Sequence, residues 1–396
     1  MNEIKKAEAI THTFGKLDPI AVEVIRNKLE GIADEMQYSL LRSAFSPIVK
    51  EGLDASASLF TVQGETLAQS ISIPIHLGTL IPIVSEILRR YPTKEMDDGD
   101  IFIMNDPYLG GTHLPDIAII MPVFVKGQIL GLSAAMVHHQ DVGGMTPGSV
   151  PTNATEIFQE GIRIPPLKLA SGNKINTQIL ELLKLNVRLP SIFEGDLNSQ
   201  IAACNVGRRR LTELNKRYDY KFLKIVFETL LDRSEKMTRA ALTKIPDGKY
   251  SYYDYLDNDG VIIDKKIKIA VTAIIKKGDI TFNFDQTSKQ VKGPFNCVPS
   301  GSLSAACFAI RVLTGPEIPT NGGCFRPIHL NLPKGSIVNP EEPAPVNART
   351  STIKRITGCM VSAFREVMPE KITADSASNM LILQFGGQLT DGEQFV

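Results

Sequence analysis

The first strong pattern in the chain is a helical repeat of apolar residues behind Asp18-Pro19. Apolar side chains recur there at intervals of three and four residues: Val22, Ile25, Leu29, Ile32, Met36 and Leu40. This spacing places them on one face of an α-helix, and an aspartate followed by proline is typical of a helix start. The sequence therefore predicts an amphipathic helix that runs from residue 18 towards Ser46.

The pattern then alternates between strands and helices. Small and apolar residues alternate around Gly64-Glu65 and indicate a β-hairpin, whereas helical spacing predicts a second helix over Leu80–Arg90. A short apolar strand, IFIM, follows at residues 101–104. Two long apolar runs, DIAIIMPVFV and QILGLSAAMVH, are then separated by Lys126-Gly127. This arrangement predicts two antiparallel strands joined by a two-residue turn.

Helical spacing dominates residues 178–242, and strand alternation returns at Lys249, with turn signals at residues 258–260 and 277–278. A Gly/Pro-rich loop region and one more helix near Thr357–Val367 complete the pattern. The final segment, NMLILQFGGQLTDGEQFV, indicates a strand and a turn at which the chain stops abruptly. We therefore expect a C-terminal portion to be absent or encoded separately.

Together these elements predict an α+β fold of mixed, largely antiparallel sheets with a helical middle region. A chain of 396 residues has room for two or three units. We expect an N-terminal helix with a β-rich region over residues 1–175, a helical region over 176–245, and a second β-rich region with Gly/Pro loops over 246–396.

Composition narrows the possible functions. The 43 basic residues balance 43 acidic ones, so no overall attraction to nucleic acid or to an anionic membrane is expected. The N-terminus has no signal-peptide core, and the most apolar stretch, Ile117 to Val137, is broken by residues 126–128. No CxxC motif occurs among the five cysteines, Cys204, Cys297, Cys307, Cys324 and Cys359. Reduced, mostly buried thiols in a cytoplasmic protein are therefore expected.

Candidate chemistry concentrates at one end of the long predicted hairpin. The segments MNDPYLGGTHLPD and HHQDVGG lie at that end, and each contains a His-x-x-Asp unit, His113 with Asp116 and His138 with Asp141. Imidazole nitrogens and carboxylate oxygens together bind Zn²⁺, Mn²⁺ or Fe²⁺. The sequence thus predicts a divalent-metal site, although any one of these residues alone is more often a loop histidine or a capping aspartate.

Strand register brings the two units together. If Lys126-Gly127 forms a tight turn, residues whose numbers sum to 253 face each other, which sets Asp116 opposite Val137 and Pro115 opposite His138. Opposed residues have Cβ atoms roughly 5 Å apart, so Asp116 and His138 are expected to be near neighbours. A slip of one residue would change the partners but not the end of the hairpin at which they lie.

Three residues are candidates for catalysis beside the metal. Asp141 is expected in the loop at the open end of the hairpin. His139 should point away from His138 if the strand continues, and would then support the ligands. Glu160 follows the metal loops and could act as an acid or a base. Local salt bridging explains Glu160 and its neighbour Arg163 about as well.

Other polar residues receive simpler interpretations. Spacing alone predicts a turn at Asp54, in EGLDASAS, and Asp106 before proline is also expected to start a turn. His76 has apolar neighbours and is expected to be a packed histidine. Cys324 is not expected to be a nucleophile, and residues 208–210, three consecutive arginines, should form a solvated helix face.

Many segments resemble the hydantoinase B/5-oxoprolinase family, which also includes the alpha subunit of acetone carboxylase. They include NDPYLGGTHLPDIAIIMPVF, HHQDVGGMTPGSVPTNATEIFQEGIRIPP, GPFNCVPSGSLSAACFAI, PTNGGCFRPIHLNLPKGSIVNPEEPAPVNART and DASASLF. The resemblance runs from the first helix to the end of the chain. It implies metal ligands at His113 and Asp116 (from HLPD), at His138 (from HHQD) and at Asp54 (from DAS).

The resemblance also implies a heteromeric, ATP-dependent enzyme. ATP and Mg²⁺ are used by an A-type partner, which phosphorylates the substrate, and the B-type polypeptide carries the metal and completes the reaction. The expected reaction is hydrolysis of a cyclic amide such as a hydantoin, oxoproline or lactam, with carboxylation of a ketone as the alternative. Family members usually continue into glycine-rich segments that this sequence lacks.

The residues agree with such a division of labour. No G-x-x-x-x-G-K-[ST] phosphate-binding motif occurs, since neither Gly15-Lys16 nor Gly248-Lys249 is followed by serine or threonine. ATP is therefore expected on a partner. A non-catalytic scaffold protein is the alternative from a different class, suggested by the abrupt C-terminus.

Overall fold

The computed structural model describes residues 17–374, 376–377, 383, 385–392 and 394–396. Its main element is a seven-stranded sheet in which every adjacent pair is antiparallel. The strands are Ala55–Phe60 (β1), Thr66–Gln69 (β2), Ile101–Met104 (β3), Asp116–Val125 (β4), Gln128–His138 (β5), Leu167–Ser171 (β6) and Lys174–Ile175 (β7). Their order in space is β2-β1-β5-β4-β3-β6-β7.

Helices cover both faces of this sheet. They are Pro19–Ser43 (α1), the short Pro47–Lys50 (α2), Leu80–Arg90 (α3), Thr177–Leu185 (α4), Pro190–Arg217 (α5) and Tyr220–Leu242 (α6). Helix α1 begins at the predicted cap, where the Asp18 carboxylate accepts a hydrogen bond from the Ile20 N–H at 2.9 Å. Helices α1, α5 and α6 share one apolar core with the sheet, and α3 forms a separate core on the other face.

The two faces follow from strand alternation. Successive residues of a strand point to opposite sides, so Ile117 and Ile119 enter the core under α1 and α5, while Ala118 and Ile120 enter the core under α3. Because both faces are covered, β4 is apolar along nearly its whole length. The same alternation places the Asp116 side chain on the α3 side of the sheet.

A second, four-stranded sheet lies later in the chain. Its strands are Gly248–Leu256 (β8), Ile267–Lys276 (β9), Asp279–Asn283 (β10) and Ile328–Asn331 (β11), in the order β11-β10-β9-β8. Only the β10–β11 pair is parallel. Helices Pro299–Thr314 (α7), Gly322–Phe325 (α8) and Arg349–Ser362 (α9) follow in this part of the chain, and α7 and α9 pack in the core of this sheet. Two short strands, Gly387–Gln388 (β12) and Gln394–Phe395 (β13), pair near the end of the described chain.

The predicted mixture of helices and largely antiparallel sheets is confirmed, with local corrections. Helix α7 lies where the sequence predicted a loop region, and α9 begins at Arg349 rather than near Thr357. Most of the strand predicted over NMLILQ falls outside the described residues. The division into three regions stays a prediction, and the core beneath the large sheet includes residues of α5 and α6 from the middle region. Among the described helices, none is both long and apolar enough to cross a membrane.

Candidate metal centre

The β4–β5 hairpin positions the central acid of the site. Lys126 and Gly127 adopt positive φ angles of 49° and 77°, as the favoured two-residue turn requires. The first pairs beyond the turn follow the predicted sum of 253, but the register shifts beside Val123. Asp116 consequently lies directly opposite His138. The predicted pairing of Asp116 with Val137 was wrong by one residue, because a bulge in the ladder is not visible in a two-residue turn signal.

Five side chains converge at this end of the hairpin. Ligand-type atoms of His113, Asp116 and His138 lie within 4.8 Å of one another, and so do those of Asp54, His76 and Asp116. Asp116 belongs to both sets, so the two sets form one cluster. The side chain of Asp54 is 26% exposed, whereas the other four residues are buried. The cluster therefore opens to solvent on the Asp54 side.

The hydrogen bonds of His113 determine where its proton lies. Its Nδ1 is 3.3 Å from the backbone oxygen and 3.2 Å from the side-chain oxygen of Asn347. The amide nitrogen of Asn347 donates to the Ser149 carbonyl, which identifies the other end of the amide as oxygen. Because both partners are acceptors, Nδ1 of His113 carries the proton and Nε2 presents a lone pair.

That lone pair faces another acceptor. His113 Nε2 lies 3.1 Å from Asp116 Oδ1, and neither atom has a hydrogen-bond partner. Burial, followed by the positive charge of Arg349, lowers the pKa of His113 to about 4, so the ring is neutral near pH 7. Two buried acceptor atoms in contact repel each other, and a bound cation converts this repulsion into attraction to both.

Asp116 is held so that one oxygen remains available. Its Oδ2 accepts from Arg349 Nη2 at 2.6 Å and from the hydroxyl of Thr112. Burial opposes ionisation, but nearby positive charge, including the Arg349 guanidinium, outweighs it and holds the pKa of Asp116 well below its usual range. Asp116 is thus an ionised carboxylate whose Oδ1 points at His113.

Asp54 and His76 form the exposed side of the cluster. His76 Nε2 lies 3.1 Å from Asp54 Oδ1. Burial disfavours charge on both groups, but their mutual contact raises the pKa of His76 and lowers that of Asp54. His76 is therefore buried as expected, but it lies within the cluster rather than apart from it.

The centroid of the His138 ring lies 4.9 Å from that of the His113 ring, and Nδ1 of His138 has no hydrogen-bond partner.

The charges of the cluster match one divalent ion. The carboxylates of Asp54 and Asp116 exceed the single guanidinium of Arg349 by one negative charge, before any proton on His76, whose pKa is raised, is counted. One divalent cation changes the total to one positive charge, whereas a second would concentrate three positive charges in a buried volume at high electrostatic cost. The residues present fit a single ion, and mixed nitrogen and oxygen donors suit Zn²⁺, Mn²⁺ or Fe²⁺.

Comparison with known proteins places the chain in a family. The sequence profile of the hydantoinase B/oxoprolinase family matches residues 18–396. The chain belongs to this family. It is 33% identical over 388 residues to a D-/L-hydantoinase polypeptide of the B type from Pseudomonas sp. strain NS671, covering 94% of this chain and 65% of that protein.

Two solved structures share the fold of this hydantoinase B family member. ATP-dependent caprolactamase from Pseudomonas jessenii matches with a TM-score of 0.82 and 31% identity, covering 90% of this chain and 62% of that chain. Nucleotide-free acetone carboxylase matches with a TM-score of 0.86 and 21% identity, covering 95% and 52%, and shows the fold alone. This chain therefore spans less than two thirds of the length of each of these three relatives.

Asp141 lies away from the cluster in this family member. Its carboxylate accepts hydrogen bonds from the N–H groups of Gly143, Gly148 and Arg188 at 2.9–3.0 Å, and from the Arg188 guanidinium at 3.0 Å. It belongs to neither group of potential ligands among the described residues. The carboxylate is engaged in holding the loop together, so this geometry does not support the predicted catalytic role.

His139 points to the opposite face from His138, as expected. Its Nε2 lies 2.9 Å from the side-chain oxygen of Gln200 on α5, and its ring packs on Phe193. The Gln200 amide nitrogen donates to two strand carbonyls, which leaves its oxygen to accept the His139 proton. His139 therefore lies across the sheet from the cluster and contacts helix α5, which does not support direct catalysis.

Glu160 is buried beside the segment that carries Asn347. Its carboxylate accepts hydrogen bonds from the backbone N–H groups of Val346 and Asn347. Burial raises its pKa to about 7. None of these hydrogen bonds joins Glu160 to one of the five clustered side chains.

The simpler sequence interpretations fit the remaining residues. Arg163 pairs with Asp106 at 2.8 Å and with Glu342 at 2.5 Å, so salt bridging accounts for it. Burial raises the pKa of the Cys324 thiol to about 12, and all five cysteines are buried thiols outside any disulfide. The arginine run is a surface feature, with Arg210 paired to two glutamates.

Sequence reasoning missed three residues that touch the cluster: Thr112, Asn347 and Arg349. Thr112 stands next to a predicted ligand and could have been suspected as its support. Asn347 and Arg349 lie in VNART, which the resemblance included without assigning a role. Their contacts with His113 and Asp116 span more than 230 positions, and no local pattern predicts such a contact.

Proposed function

We propose that this chain is the metal-binding catalytic (B-type) subunit of an ATP-dependent heteromeric hydrolase that opens a cyclic amide such as a hydantoin, oxoproline or lactam. The observation that carries the proposal is the proton-free contact between His113 Nε2 and Asp116 Oδ1. Membership in the hydantoinase B/oxoprolinase family and likeness to an ATP-dependent caprolactamase support the reaction class.

His113, Asp116, His138 and Asp54 would hold the ion. A divalent metal bound there supplies Lewis-acid polarisation of a carbonyl group and lowers the pKa of a water molecule towards neutrality. The chain prepares its own ligands for this role. Asn347 keeps the proton of His113 on Nδ1, and hydrogen bonds to Oδ2 of Asp116 leave its Oδ1 free.

The Asp54–His76 pair can handle a proton at the solvent side. His76 Nε2 lies 3.1 Å from Asp54 Oδ1, and the Asp54 carboxylate is partly exposed. Opening of a cyclic amide requires one proton to be taken from water and one to be given to the departing nitrogen. The pair is the group in the cluster placed to exchange a proton with an incoming substrate.

Activation by ATP would occur on an A-type nucleotide-binding partner. The sequence contains no phosphate-binding motif of the familiar type. The names of two relatives, a hydantoinase polypeptide of the B type and the beta chain of caprolactamase, describe members of multi-subunit enzymes. Phosphorylation of the amide oxygen by ATP on the partner would leave to this chain the metal-assisted hydrolysis, in which water adds to the carbon, the ring C–N bond breaks and phosphate is released.

Metal analysis and assay of the assembled enzyme test the proposal. We expect about one divalent ion per chain in the wild type, and loss of both the ion and ATP-dependent ring opening in a His113→Ala, His138→Ala double variant. His329→Ala is the control, since this exposed histidine pairs with Asp279 outside the cluster.

Three outcomes would contradict the proposal. A wild type without bound metal, or a double variant with full turnover, removes the metal-dependent mechanism. Incorporation of bicarbonate into a ketone without ring opening would assign the carboxylase reaction instead. An assembled enzyme whose turnover is unchanged by Asp116→Asn would assign a scaffold role to this chain.

A further inference from the structure

We propose that Glu160 is a positioning residue, which fixes the backbone at residues 346–347 so that Asn347 holds His113 in its metal-binding tautomer. The inference deepens the proposed function and rests on it. It also replaces the acid–base role that the sequence suggested for Glu160.

The clamp itself is a set of short, buried hydrogen bonds. Oε1 of Glu160 accepts from the N–H groups of Val346 and Asn347, each at 2.9 Å, and Oε2 lies 3.1 Å from the Val346 nitrogen. The residue is 0% exposed. A carboxylate that accepts backbone N–H groups in a buried setting forms strong, directional bonds, so Glu160 determines the path of the chain at these two residues.

Asn347 transmits this position to the cluster. Its backbone and side-chain oxygens both approach His113 Nδ1, while its amide nitrogen is held by the Ser149 carbonyl. A displaced backbone at residue 347 would remove one acceptor directly and move the other. The His113 proton could then transfer to Nε2, the atom that faces Asp116 and is needed for the ion.

Other contacts hold the same segment on either side of Asn347, and downstream the Ala348 N–H donates to the Pro294 carbonyl at 2.8 Å. The Tyr108 hydroxyl donates to the Ala344 carbonyl at 2.5 Å, and the Ile157 N–H donates to the Pro343 carbonyl at 2.8 Å. Both anchor the segment upstream of residue 346. Glu160 is thus the contact that holds the backbone N–H of residue 347, and Arg349, which binds Asp116, follows two residues later.

Burial argues against direct chemistry by Glu160. The Glu160 carboxylate is directed at backbone N–H groups, and Asn347 lies between it and His113. A general acid or base has to reach the proton that it transfers, directly or through one water. The Glu160 carboxylate is enclosed on the far side of Asn347 and acts on the ligand only through that residue.

Titration of the metal-free full-length chain with Co²⁺, followed by its visible absorption, tests the proposal. Glu160→Ala should weaken Co²⁺ binding about 10–100-fold, as loss of a residue that supports a ligand does, and should alter the absorption bands. Glu160→Gln keeps an oxygen that can accept both N–H groups, so it should restore near wild-type binding. Asp100→Ala is the matched control, because Asp100 is a buried carboxylate that accepts the Asp97 N–H and pairs with Lys168 at the opposite end of β3.

A second variant covers the case in which Glu160→Ala does not fold. Asn347→Ala should weaken Co²⁺ binding to a similar degree. If both variants fold, the double variant should bind Co²⁺ no more weakly than Asn347→Ala alone, because Glu160 acts only through Asn347. Additive losses would overturn the inference. Unchanged Co²⁺ affinity in Glu160→Ala would also overturn it. A Glu160→Gln variant that binds Co²⁺ normally but has lost all turnover would overturn it as well, and would restore the acid–base role of Glu160. A wild type that binds no Co²⁺ contradicts the proposed function instead, and the inference falls with it.

Discussion

Arg349 and Asp116 form a buried ion pair that joins the two sheets of the protein. Their side chains meet at 2.6 Å although the residues are 233 positions apart, and both are almost fully buried. Asp116 begins β4 of the large sheet, and Arg349 begins α9, which packs in the core of the second sheet. Asp116 of the candidate metal centre is therefore held by a helix that packs in the core of the second sheet.

Removal of Arg349 is expected to be costly for folding. Arg349→Ala leaves the Asp116 charge buried without its guanidinium partner, and breaking a buried pair from one side typically costs about 3–5 kcal/mol. Urea unfolding of the metal-free protein measures the loss. Arg365→Ala is the control, because its pair with Glu366 is exposed and such pairs contribute roughly 0–1 kcal/mol. Equal effects of the two substitutions would contradict the role assigned to Arg349.

Metal removal should lower stability through the cluster alone. An ion that binds only the folded chain stabilises it by about 2.7 kcal/mol when the free ion is present at about 100 times its Kd. We expect a chelator to reduce the free energy of unfolding of the wild type by that amount. The His113→Ala, His138→Ala double variant should be insensitive to the chelator, and equal sensitivity of both proteins would place the ion elsewhere.

Glu160 should make stability depend on pH. Burial raises its pKa from 4.5 to about 7, so between these values the folded chain keeps a proton that the unfolded chain has released. Stability from this source is complete below pH 4.5 and falls as pH rises towards 7. The free energy of unfolding of the metal-free wild type, relative to Glu160→Gln, should fall by about 2–3 kcal/mol between pH 5 and pH 8. A difference that is flat or rises with pH would contradict the shift.

Gly111 should be essential for the approach of the His113 loop. A Cβ atom at this position would lie 2.4 Å from the Asn105 carbonyl oxygen and 2.8 Å from that of Asp106. Gly111→Ala is therefore expected to cost about 1–3 kcal/mol and to weaken Co²⁺ binding by displacing His113. Gly31→Ala in α1 is the matched control, because its new methyl group meets no heavy atom within 4 Å. This substitution should stabilise the folded protein by about 0.5–1 kcal/mol. Thermal unfolding and Co²⁺ titration of both variants test the pair.

Local patterns predicted much of the large sheet and its helices. Helix α1, helix α3 and the β4–β5 hairpin lie where spacing and turn signals placed them, because each is specified by residues close in sequence. The register of the hairpin was off by one, since the bulge beside Val123 depends on contacts across the sheet. Helix α7 was missed because its first half is rich in serine, glycine and alanine, which give a weak apolar period.

The sequence likewise predicted some residues of the candidate site and not others. Paired His-x-x-Asp units at the end of one hairpin indicated His113, Asp116 and His138 from the sequence alone. The inclusion of His76 follows from a 3₁₀ turn that packs beside Asp54, and its flanking residues resemble those of any packed histidine. Asn347 reaches the site only when the second sheet docks, and such docking leaves no periodic signal in the sequence.

The joining of two cores at Asp116 sets an order of events during synthesis. The five clustered side chains leave the ribosome early, between residues 54 and 138, whereas the guanidinium that balances Asp116 follows only at residue 349. Until α9 has docked, the acid lacks its counter-charge and His113 lacks its proton acceptors. The proposed cation site is therefore complete only after both parts of the polypeptide have come together.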